Sequence, residues 1–407
     1  MPIKTIVIII LIVVHLYRTL LRIIDWRSEK NPIPANVSDV YDAETYRKWR
    51  AYHGEKCRLG MLSGAAGFAI ELALMAGNLY AAFARLFPQG LFTQMFAVLL
   101  LSALAELPLL PFEWIDTMVI EEKYGFNRSS KGTFWMDRLK QFAIGLLIMT
   151  VVGSVLMGAH RWLGDWMIVA FAAVMMLLVL GISFLFPLLS RVFNKFTPLE
   201  AGELRDRLTG LLERHGYRVR AIQVMDASRR STKSNAYFTG FGRMKTIVLY
   251  DTLVQSNTPE EICAVFAHEL GHGLHRDTLK MQILNLMQMA ALGVLAWLTL
   301  RGGALFTPFG FEGVNYGFAL ILIMSVEYAL IAPLFGLIAN AVSRRAEYRA
   351  DAQAVREGYG EALVSALRRL SRQNFADLAP SPLLVKLEYA HPTLSQRIDA
   401  IEGRGRR

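Results

Sequence analysis

The stretch AVFAHELGHGLHRD (residues 264–277) places two histidines and a glutamate in an otherwise apolar run. On a helix, His268 and His272 lie one turn apart on the same face, so both imidazoles can reach one ion. Glu269 is rotated about 100° from His268 around the axis, where it can hold a water molecule without binding the ion. This HExxH spacing is the arrangement of zinc proteases, and a pair of hydrogen-bonded core histidines is the alternative.

A catalytic zinc needs a third protein ligand and one open position for water. His275 lies roughly 10 Å along the helix axis from His268, which is too far for one ion. Glu347, in the stretch SRRAEYRADAQA (343–354), is the better candidate, and Asp351 follows it on the same helical face. This spacing predicts Glu347 as a ligand and Asp351 as the acceptor that orients a ligand imidazole. A solvated helix face paired with the neighbouring arginines is the alternative.

The 407-residue chain is more apolar than an ordinary soluble protein. Hydrophobic residues make up 54% of it and charged residues 19%, and long stretches carry almost no charge. About seven segments can cross a bilayer of roughly 30 Å as helices: 5–24, 62–84, 91–112, 141–159, 166–189, 281–300 and 318–342. The sequence predicts a mainly α-helical polytopic membrane protein with about seven transmembrane helices.

The loops between these segments alternate in charge. The long loop 190–280 and the tail after residue 343 are rich in lysine and arginine, and so are two earlier loops, whereas the intervening loops carry one arginine each. The positive-inside rule then places the N-terminus outside and the long loop and the tail in the cytoplasm. The net charge of +10 is therefore interpreted as a topology signal.

The sequence does not indicate a nucleic-acid-binding protein or a protein built on cysteine pairs. We find no motif for nucleic-acid recognition and no glycine-rich phosphate loop, so no nucleic-acid partner is expected. The two cysteines, Cys57 and Cys263, are too few for a disulfide framework and lack the spacing of a metal-binding pair.

Both candidate ligand helices continue predicted membrane spans. The His268 helix runs into the sixth span, and Glu347 follows directly after the seventh. Zinc is therefore expected at the cytoplasmic membrane boundary, where a substrate with a lipid or a transmembrane stretch can present a cleavable bond. We divide the chain into an N-terminal membrane region with five spans (1–190) and a zinc metallopeptidase region (191–407).

The long loop has the patterns of a small folded α+β region. Residues 198–217 show an amphipathic helical pattern, and 234–254 read as two strands around a glycine-containing turn. Thr258 with Glu261 three residues later is a capping-box pattern, which predicts the start of the His268 helix.

Five acidic side chains fall inside or beside the predicted spans. They would be costly in hydrocarbon, so we expect them to face a polar interior. The sequence thus predicts a water-holding cavity within the helix assembly, and hydrogen bonding between helices is the alternative. The five residues are Glu71, Glu106, Glu113, Asp116 and Glu327.

Several longer stretches resemble the integral-membrane zinc CAAX prenyl proteases, nearly from end to end of the chain. Besides HELGH, they are VIEEKYGFNRSSKGTFWMD (119–137), FNKFTPLEAGELRDRL (193–208), SNAYFTGFG (234–242), EYRADAQA (347–354) and HPTLSQRIDAI (391–401). The resemblance implies seven transmembrane helices around an enclosed internal chamber. It also implies one zinc ion held by His268, His272 and Glu347, with Glu269 as the general base.

Four further residues take roles only through this resemblance. His391 and Arg397 match family residues that lie over the zinc and stabilise the oxyanion, and Asn235 and Ala236 match a strand that pairs with the substrate backbone. From the residues alone, His391 can equally be a helix-start histidine, and Arg397 can pair with an acid of its own helix.

The hypothesis is zinc-dependent hydrolysis of membrane-associated or lipidated, CAAX-type peptides at the cytoplasmic membrane boundary. The expected partners are the peptide and membrane lipids, and the expected state is a monomer. The expected location is the inner membrane of a bacterium or the endoplasmic reticulum of a eukaryote. A quality-control membrane protease, a transporter or channel, and a zinc-stabilised scaffold without turnover are the alternatives.

Overall fold

Long helices form the first 190 residues of the chain. The computed structural model describes residues 2–233, 235–239 and 244–403, without the side chains of 182–189, 218–220, 238–239 and 244–245. The helices of this part are α1 (Ile3–Ser28), α2 (Ala43–Ala76), α3 (Leu79–Ala84), α4 (Leu91–Leu104), α5 (Leu110–Trp114), α6 (Lys131–Leu163) and α7 (Met167–Ser190). The side chains of Asp42 and Ser130 cap α2 and α6 by accepting hydrogen bonds from backbone N–H groups.

A small sheet and further helices form the rest of the chain. The strands are β1 (Phe196–Pro198), β2 (Arg218–Met225), β3 (Ala236–Thr239) and β4 (Met244–Tyr250). The helices are α8 (Glu203–Arg214), α9 (Asp251–Ser256), α10 (Pro259–Leu274), α11 (Asp277–Arg301), α12 (Tyr316–Ile321), α13 (Tyr328–Arg356), α14 (Gly360–Gln373), α15 (Pro382–Leu387) and α16 (Leu394–Ile401). A π-helical segment, Leu322–Glu327, joins α12 to α13.

The sheet has the order β1-β2-β4-β3, with β2 and β4 parallel in the centre. Each outer strand is antiparallel to its neighbour. The predicted amphipathic helix and the predicted strand pair are confirmed as α8 and as β3 with β4. The glycine-containing turn, residues 240–243, lies outside the described residues.

Six helical runs of the described chain are long and apolar enough to cross a membrane, whereas the sequence predicts seven spans. The difference arises because the run 131–181 contains the fourth predicted span and most of the fifth. Only the short helical turn Gly164–Trp166 separates α6 from α7, and Gly164 has a φ of 53° that favours glycine. The predicted polytopic helical architecture with a small sheet is confirmed.

Two large apolar cores hold these elements together. Met95, Leu156 and Phe318 belong to the core that joins the membrane helices. Leu208 and Ile247 belong to a second core, in which α8, α10 and the sheet pack together. Each fully buried side chain of this kind contributes about 1.5–3 kcal/mol to folding. The second core fixes α10, the helix that carries the HExxH residues.

Acidic side chains of the predicted spans have polar neighbours on other helices. Lys56 Nζ lies 2.6 Å from Asp116, and Thr299 Oγ1 donates a hydrogen bond of 2.7 Å to Glu327 Oε1. These contacts fit the alternative of hydrogen bonding between helices. One buried oxygen of Glu71 and one of Glu327 accept no hydrogen bond within the described part of the chain. The water-holding cavity stays a prediction.

Candidate metal centre

A capping box fixes the start of α10. Thr258 Oγ1 accepts a hydrogen bond from the Glu261 N–H, and Glu261 Oε2 accepts one of 3.0 Å from the Thr258 N–H. The buried Glu261 carboxylate also accepts a bond from Ser365 and pairs with Arg369. Burial alone would raise the pKa of Glu261, but these donors outweigh it and hold that pKa below its ordinary value. The predicted helix start is confirmed.

A close contact at Gly271 brings α10 against α13. A Cβ atom on Gly271 would lie 2.8 Å from the Cα of Ala350 and 3.0 Å from the Cβ of Gln353. Because the nearest atom belongs to the backbone, a larger residue would force the two helices apart. Asp351 follows Ala350 in the chain, so the glycine of HELGH sets the distance between the two histidines and the acids of α13.

Three candidate ligands converge between these two helices. The Nε2 atom of His268 lies 3.5 Å from Glu347 Oε2, and the Nε2 atom of His272 lies 3.3 Å from Glu347 Oε1. One ligand atom from each of the three residues lies within 4.8 Å of the others. Glu347 is buried, and no arginine of α13 pairs with it among the described residues. The alternative of a solvated acidic face is therefore wrong for Glu347.

The donor set fits a zinc ion. Two imidazoles and one carboxylate are a known ligand set of catalytic zinc. The Oε2 atom of Glu347 is buried and accepts no well-directed hydrogen bond from the described residues, although His391 Nδ1 lies 2.9 Å away. A buried carboxylate oxygen without such a partner is costly unless another group binds it, and a cation supplies that binding.

A buried carboxylate orients His268 from behind. Asp351 Oδ1 lies 2.8 Å from His268 Nδ1, so the Nδ1–H group donates to the carboxylate and Nε2 is left to face Glu347. Arg397 donates two hydrogen bonds to Asp351, of 2.9 Å and 2.6 Å. Burial would lower the pKa of Arg397, but the bonds to Asp351 raise it above its ordinary value. The expected contact between Asp351 and a candidate ligand histidine is present.

A second carboxylate orients His272 in the same way. Asp277 Oδ2 lies 3.2 Å from His272 Nδ1, and Asp277 Oδ1 accepts hydrogen bonds from Lys280 and Arg349. Asp277 is absent from the sequence-based predictions. The signal that could have indicated its role is its position in the sequence, five residues after His272 and at the start of α11.

Replacing Asp277 with Asn should reduce zinc affinity about 10–100-fold, because the amide keeps the shape of the contact and loses the charge that supports His272. Zinc affinity can be measured by competition with a chromophoric chelator on the purified protein. Lys280→Gln is the matched control, since it removes a donor from the same carboxylate and leaves His272 in contact with it. Equal affinity of Asp277→Asn and wild type would contradict this role.

Glu269 and His275 lie on or next to α10 but are not part of the candidate ligand group. The Glu269 carboxylate is half-buried and close enough to raise the pKa of Arg397 as one of several causes, after Asp351 and Glu347. It forms no hydrogen bond or ion pair in the described chain. His275 Nδ1 instead donates a hydrogen bond of 2.7 Å to the carbonyl oxygen of Gly271, so His275 lies outside the ligand group, as its spacing predicts.

The residues before and within α16 lie beside Glu347. His391 Nδ1 is 2.9 Å and Arg397 Nη1 is 3.4 Å from Glu347 Oε2. The His391 side chain is 67% exposed, whereas Arg397 is nearly buried. Thr393 caps α16, so His391 lies outside the helix start. Arg397 pairs with two acids of α13, Glu347 and Asp351.

Strand β3 lies at one edge of the sheet and contacts α10. Ala236 begins this strand, and Asn235 precedes it with its carbonyl oxygen accepting a hydrogen bond from the Tyr250 N–H. No strand pairs with the outer edge of β3 within the ranges that the structure describes. Strand β3 is therefore an edge strand of the described sheet and lies beside the HExxH helix.

A second group with metal-binding side chains lies between α1 and α2. It consists of Asp25, His53 and Cys57, whose ligand atoms lie within 4.8 Å of one another. His53 Nε2 lies 3.1 Å from the backbone oxygen of Asp25, and its ring stacks on Trp49. A carbonyl oxygen accepts only from a protonated nitrogen, so this contact commits Nε2 as a donor. The group is consequently a hydrogen-bonded helix contact.

Two protein families match the chain, and together they cover nearly all of it. Residues 22–195 match a family described as CAAX prenyl protease N-terminal, five membrane helices. Residues 198–405, which include the whole candidate metal centre, match peptidase family M48. The chain belongs to peptidase family M48. As a member of this family it is a zinc metalloendopeptidase, and its helices make it a multi-pass membrane protein.

This M48 peptidase resembles curated proteins from several eukaryotes. The CAAX prenyl protease 1 homolog of Arabidopsis thaliana is 31% identical, over 97% of this chain and 96% of that protein. CAAX prenyl protease 1 of Saccharomyces cerevisiae is also 31% identical, over 91% of this chain and 88% of that protein. The probable CAAX prenyl protease 1 of Schizosaccharomyces pombe is 36% identical, over 76% of this chain but only 65% of that protein.

The crystal structure of S. mikatae Ste24p has the same architecture as this M48 peptidase. The TM-score is 0.88 at 27% sequence identity, and the match covers 98% of this chain and 99% of that one. The predicted membership of the integral-membrane zinc CAAX protease family is therefore confirmed.

Proposed function

We propose that this M48 peptidase binds one zinc ion through His268, His272 and Glu347 and cleaves membrane-associated or lipidated peptides of the prenylated, CAAX type. The observation that carries the proposal is the convergence of these three side chains between α10 and α13. Helix α11, which follows α10, and the helical run that contains α13 are both apolar enough to cross a membrane. The similarity to relatives that are named CAAX prenyl protease 1, or its probable or homologous form, supports the substrate class.

Glu269 acts as the general base in this proposal. A zinc ion held by His268, His272 and Glu347 would lower the pKa of a bound water to about 7 and would polarise the scissile carbonyl. Glu269 takes the proton from the attacking water and passes it to the leaving amine. Its half-buried carboxylate, without a partner in the described chain, is free to do so. Asp351 and Asp277 hold the two imidazoles with Nε2 directed inward.

His391 and Arg397 stabilise the oxyanion that forms from the scissile carbonyl. The Nδ1 atom of His391 and the Nη1 atom of Arg397 both lie within 3.4 Å of Glu347 Oε2, and Asp351 occupies the other donors of Arg397. The exposed His391 can reach a bound substrate, and Arg397 adds positive charge behind it.

The substrate lies extended along β3 at Asn235 and Ala236 and forms a further strand of the sheet. This strand is at the edge of the described sheet and contacts α10, so a paired peptide would place a bond beside Glu269. The peptide approaches from the membrane with its lipid. We further propose the cytoplasmic side for the centre, from the positive-inside charge pattern, and a monomer as the working unit.

A peptide supplied in a farnesylated and an unfarnesylated form tests this function. The purified protein in detergent should cleave the farnesylated form, lose that activity with a zinc chelator and regain it when zinc is restored. Product formation can be followed by mass spectrometry. Equal cleavage of both forms would contradict the prenyl specificity and leave a general membrane protease. If neither form nor any other peptide were cleaved, the protease function itself would be contradicted.

A further inference from the structure

A positively charged cavity lies away from the metal centre, at the start of α6 and the end of α7. Its volume is about 370 Å³. One face of α6, the segment 191–195 that follows α7, and two residues after β2 line it. Its charged lining residues are Asp137, Lys140, Arg191, Lys195, Arg229 and Arg230, which are five cations and one carboxylate.

Only one of the five cations is neutralised by the carboxylate of the cavity. Arg230 pairs with Asp137 at 2.9 Å and also donates to Asn194. Lys140 Nζ donates to the carbonyl oxygen of Val192, which fixes its ammonium group without neutralising it. The side chains of Arg191, Lys195 and Arg229 form no ion pair among the described residues. The cavity therefore keeps a net charge of about +4, which favours an anionic ligand.

The surroundings of the cavity place it at the membrane surface. Arg191 directly follows α7, whose apolar sequence ends at Ser190. The large apolar side chains of Met136 and Val192, which both line the cavity, are exposed. Exposed apolar side chains next to lysine and arginine at the end of a long apolar helix are typical of the boundary between hydrocarbon and headgroups. A soluble anion would gain nothing from this apolar rim, whereas a lipid would cover it with its acyl chains.

We propose that this cavity binds the phosphate headgroup of an anionic membrane lipid. The phosphate would accept hydrogen bonds from Arg191, Lys195 and Arg229, and the acyl chains would lie along the exposed apolar side chains of α6. This site is independent of the proposed peptidase chemistry, since none of its residues contacts the metal centre. It gives the protein a preference for anionic lipid that does not depend on substrate.

Short-chain lipids allow a direct test on the full chain in neutral detergent. Binding of dioctanoyl phosphatidylglycerol and dioctanoyl phosphatidylcholine is measured by native mass spectrometry or by calorimetry. Wild type should bind the anionic lipid at least tenfold more tightly than phosphatidylcholine, and Arg191→Gln combined with Lys195→Gln should remove at least tenfold of that affinity. Arg161→Gln combined with Lys30→Gln removes the same charge elsewhere and should change the affinity less than about twofold.

Three results would overturn the proposal. The first is equal binding of the two lipids by wild type, and the second is an equal loss in the control variant. The third is displacement of the lipid by glycerol phosphate at equal concentration, which would assign the cavity to a soluble phosphate. If the double variant unfolds, the single variant Arg229→Gln replaces it in the test. The Arg229 side chain is exposed and has no partner in the described chain, so this substitution should not disturb the fold. It should then lower lipid affinity several-fold, and unchanged affinity would count against the site.

Discussion

Replacing Glu269 with Gln should lower peptide cleavage by about 10²–10⁴-fold while zinc remains bound at the wild-type level. The amide has the size of the carboxylate but cannot accept the proton of the attacking water. The three candidate ligands do not depend on Glu269, because Asp351, Asp277 and the close contact at Gly271 hold their positions. Turnover and metal content should be measured on the same preparation.

Glu260→Gln is the matched control for this substitution. Glu260 lies on the same helix, its side chain is exposed, and it pairs with Arg207 on α8. Exposed pairs of this kind contribute at most about 1 kcal/mol, so this variant should fold and cleave like wild type. If Glu269→Gln cleaved at a near-wild-type rate with unchanged zinc content, the assignment of the general base would be wrong.

Replacing Glu347 with Ala should abolish both zinc retention and cleavage. The substitution removes the only carboxylate among the three candidate ligands. It also leaves His268, His272 and His391 without the anion that they share. We expect the loss of zinc affinity to exceed the 10–100-fold that is typical when an outer partner of a ligand is removed. Metal analysis after dialysis against a defined zinc buffer measures it.

Glu357→Gln provides the comparison for this variant. Glu357 directly follows α13, has a largely buried side chain and pairs with Arg214 and His215, so it resembles Glu347 in burial and charge without facing the metal centre. This variant should keep its zinc even if it is less stable. Full zinc occupancy in a folded Glu347→Ala protein would show that another residue completes the site.

The parts of this structure that depend on local periodicity were predictable from the sequence. Apolar runs of helical length predict the membrane helices, and the spacing of His268 and His272 places both on one face of α10. Glu347 was predictable because it follows a membrane span and precedes Asp351 by one helical turn. A mainly helical membrane peptidase was therefore within reach of the sequence alone.

The parts that depend on contacts between distant segments were not predictable in the same way. The pairing of Arg397 with Asp351 joins α16 to α13, and no periodicity indicates it. The support of His272 by Asp277 depends on how α11 turns away from α10. The cationic cavity assembles Lys140, Arg191 and Arg229 from three segments, each of which reads in the sequence as an ordinary basic loop or helix face.

The central claim is that one zinc ion is bound by two imidazoles and one carboxylate at the membrane boundary. Zinc K-edge X-ray absorption of the metal-replete protein tests this most directly, because it separates nitrogen and oxygen ligands from sulfur. The predicted spectrum has only nitrogen and oxygen ligands, at about 2.0–2.2 Å. A sulfur shell near 2.3 Å would move the ion to Cys57 or Cys263 and contradict the account.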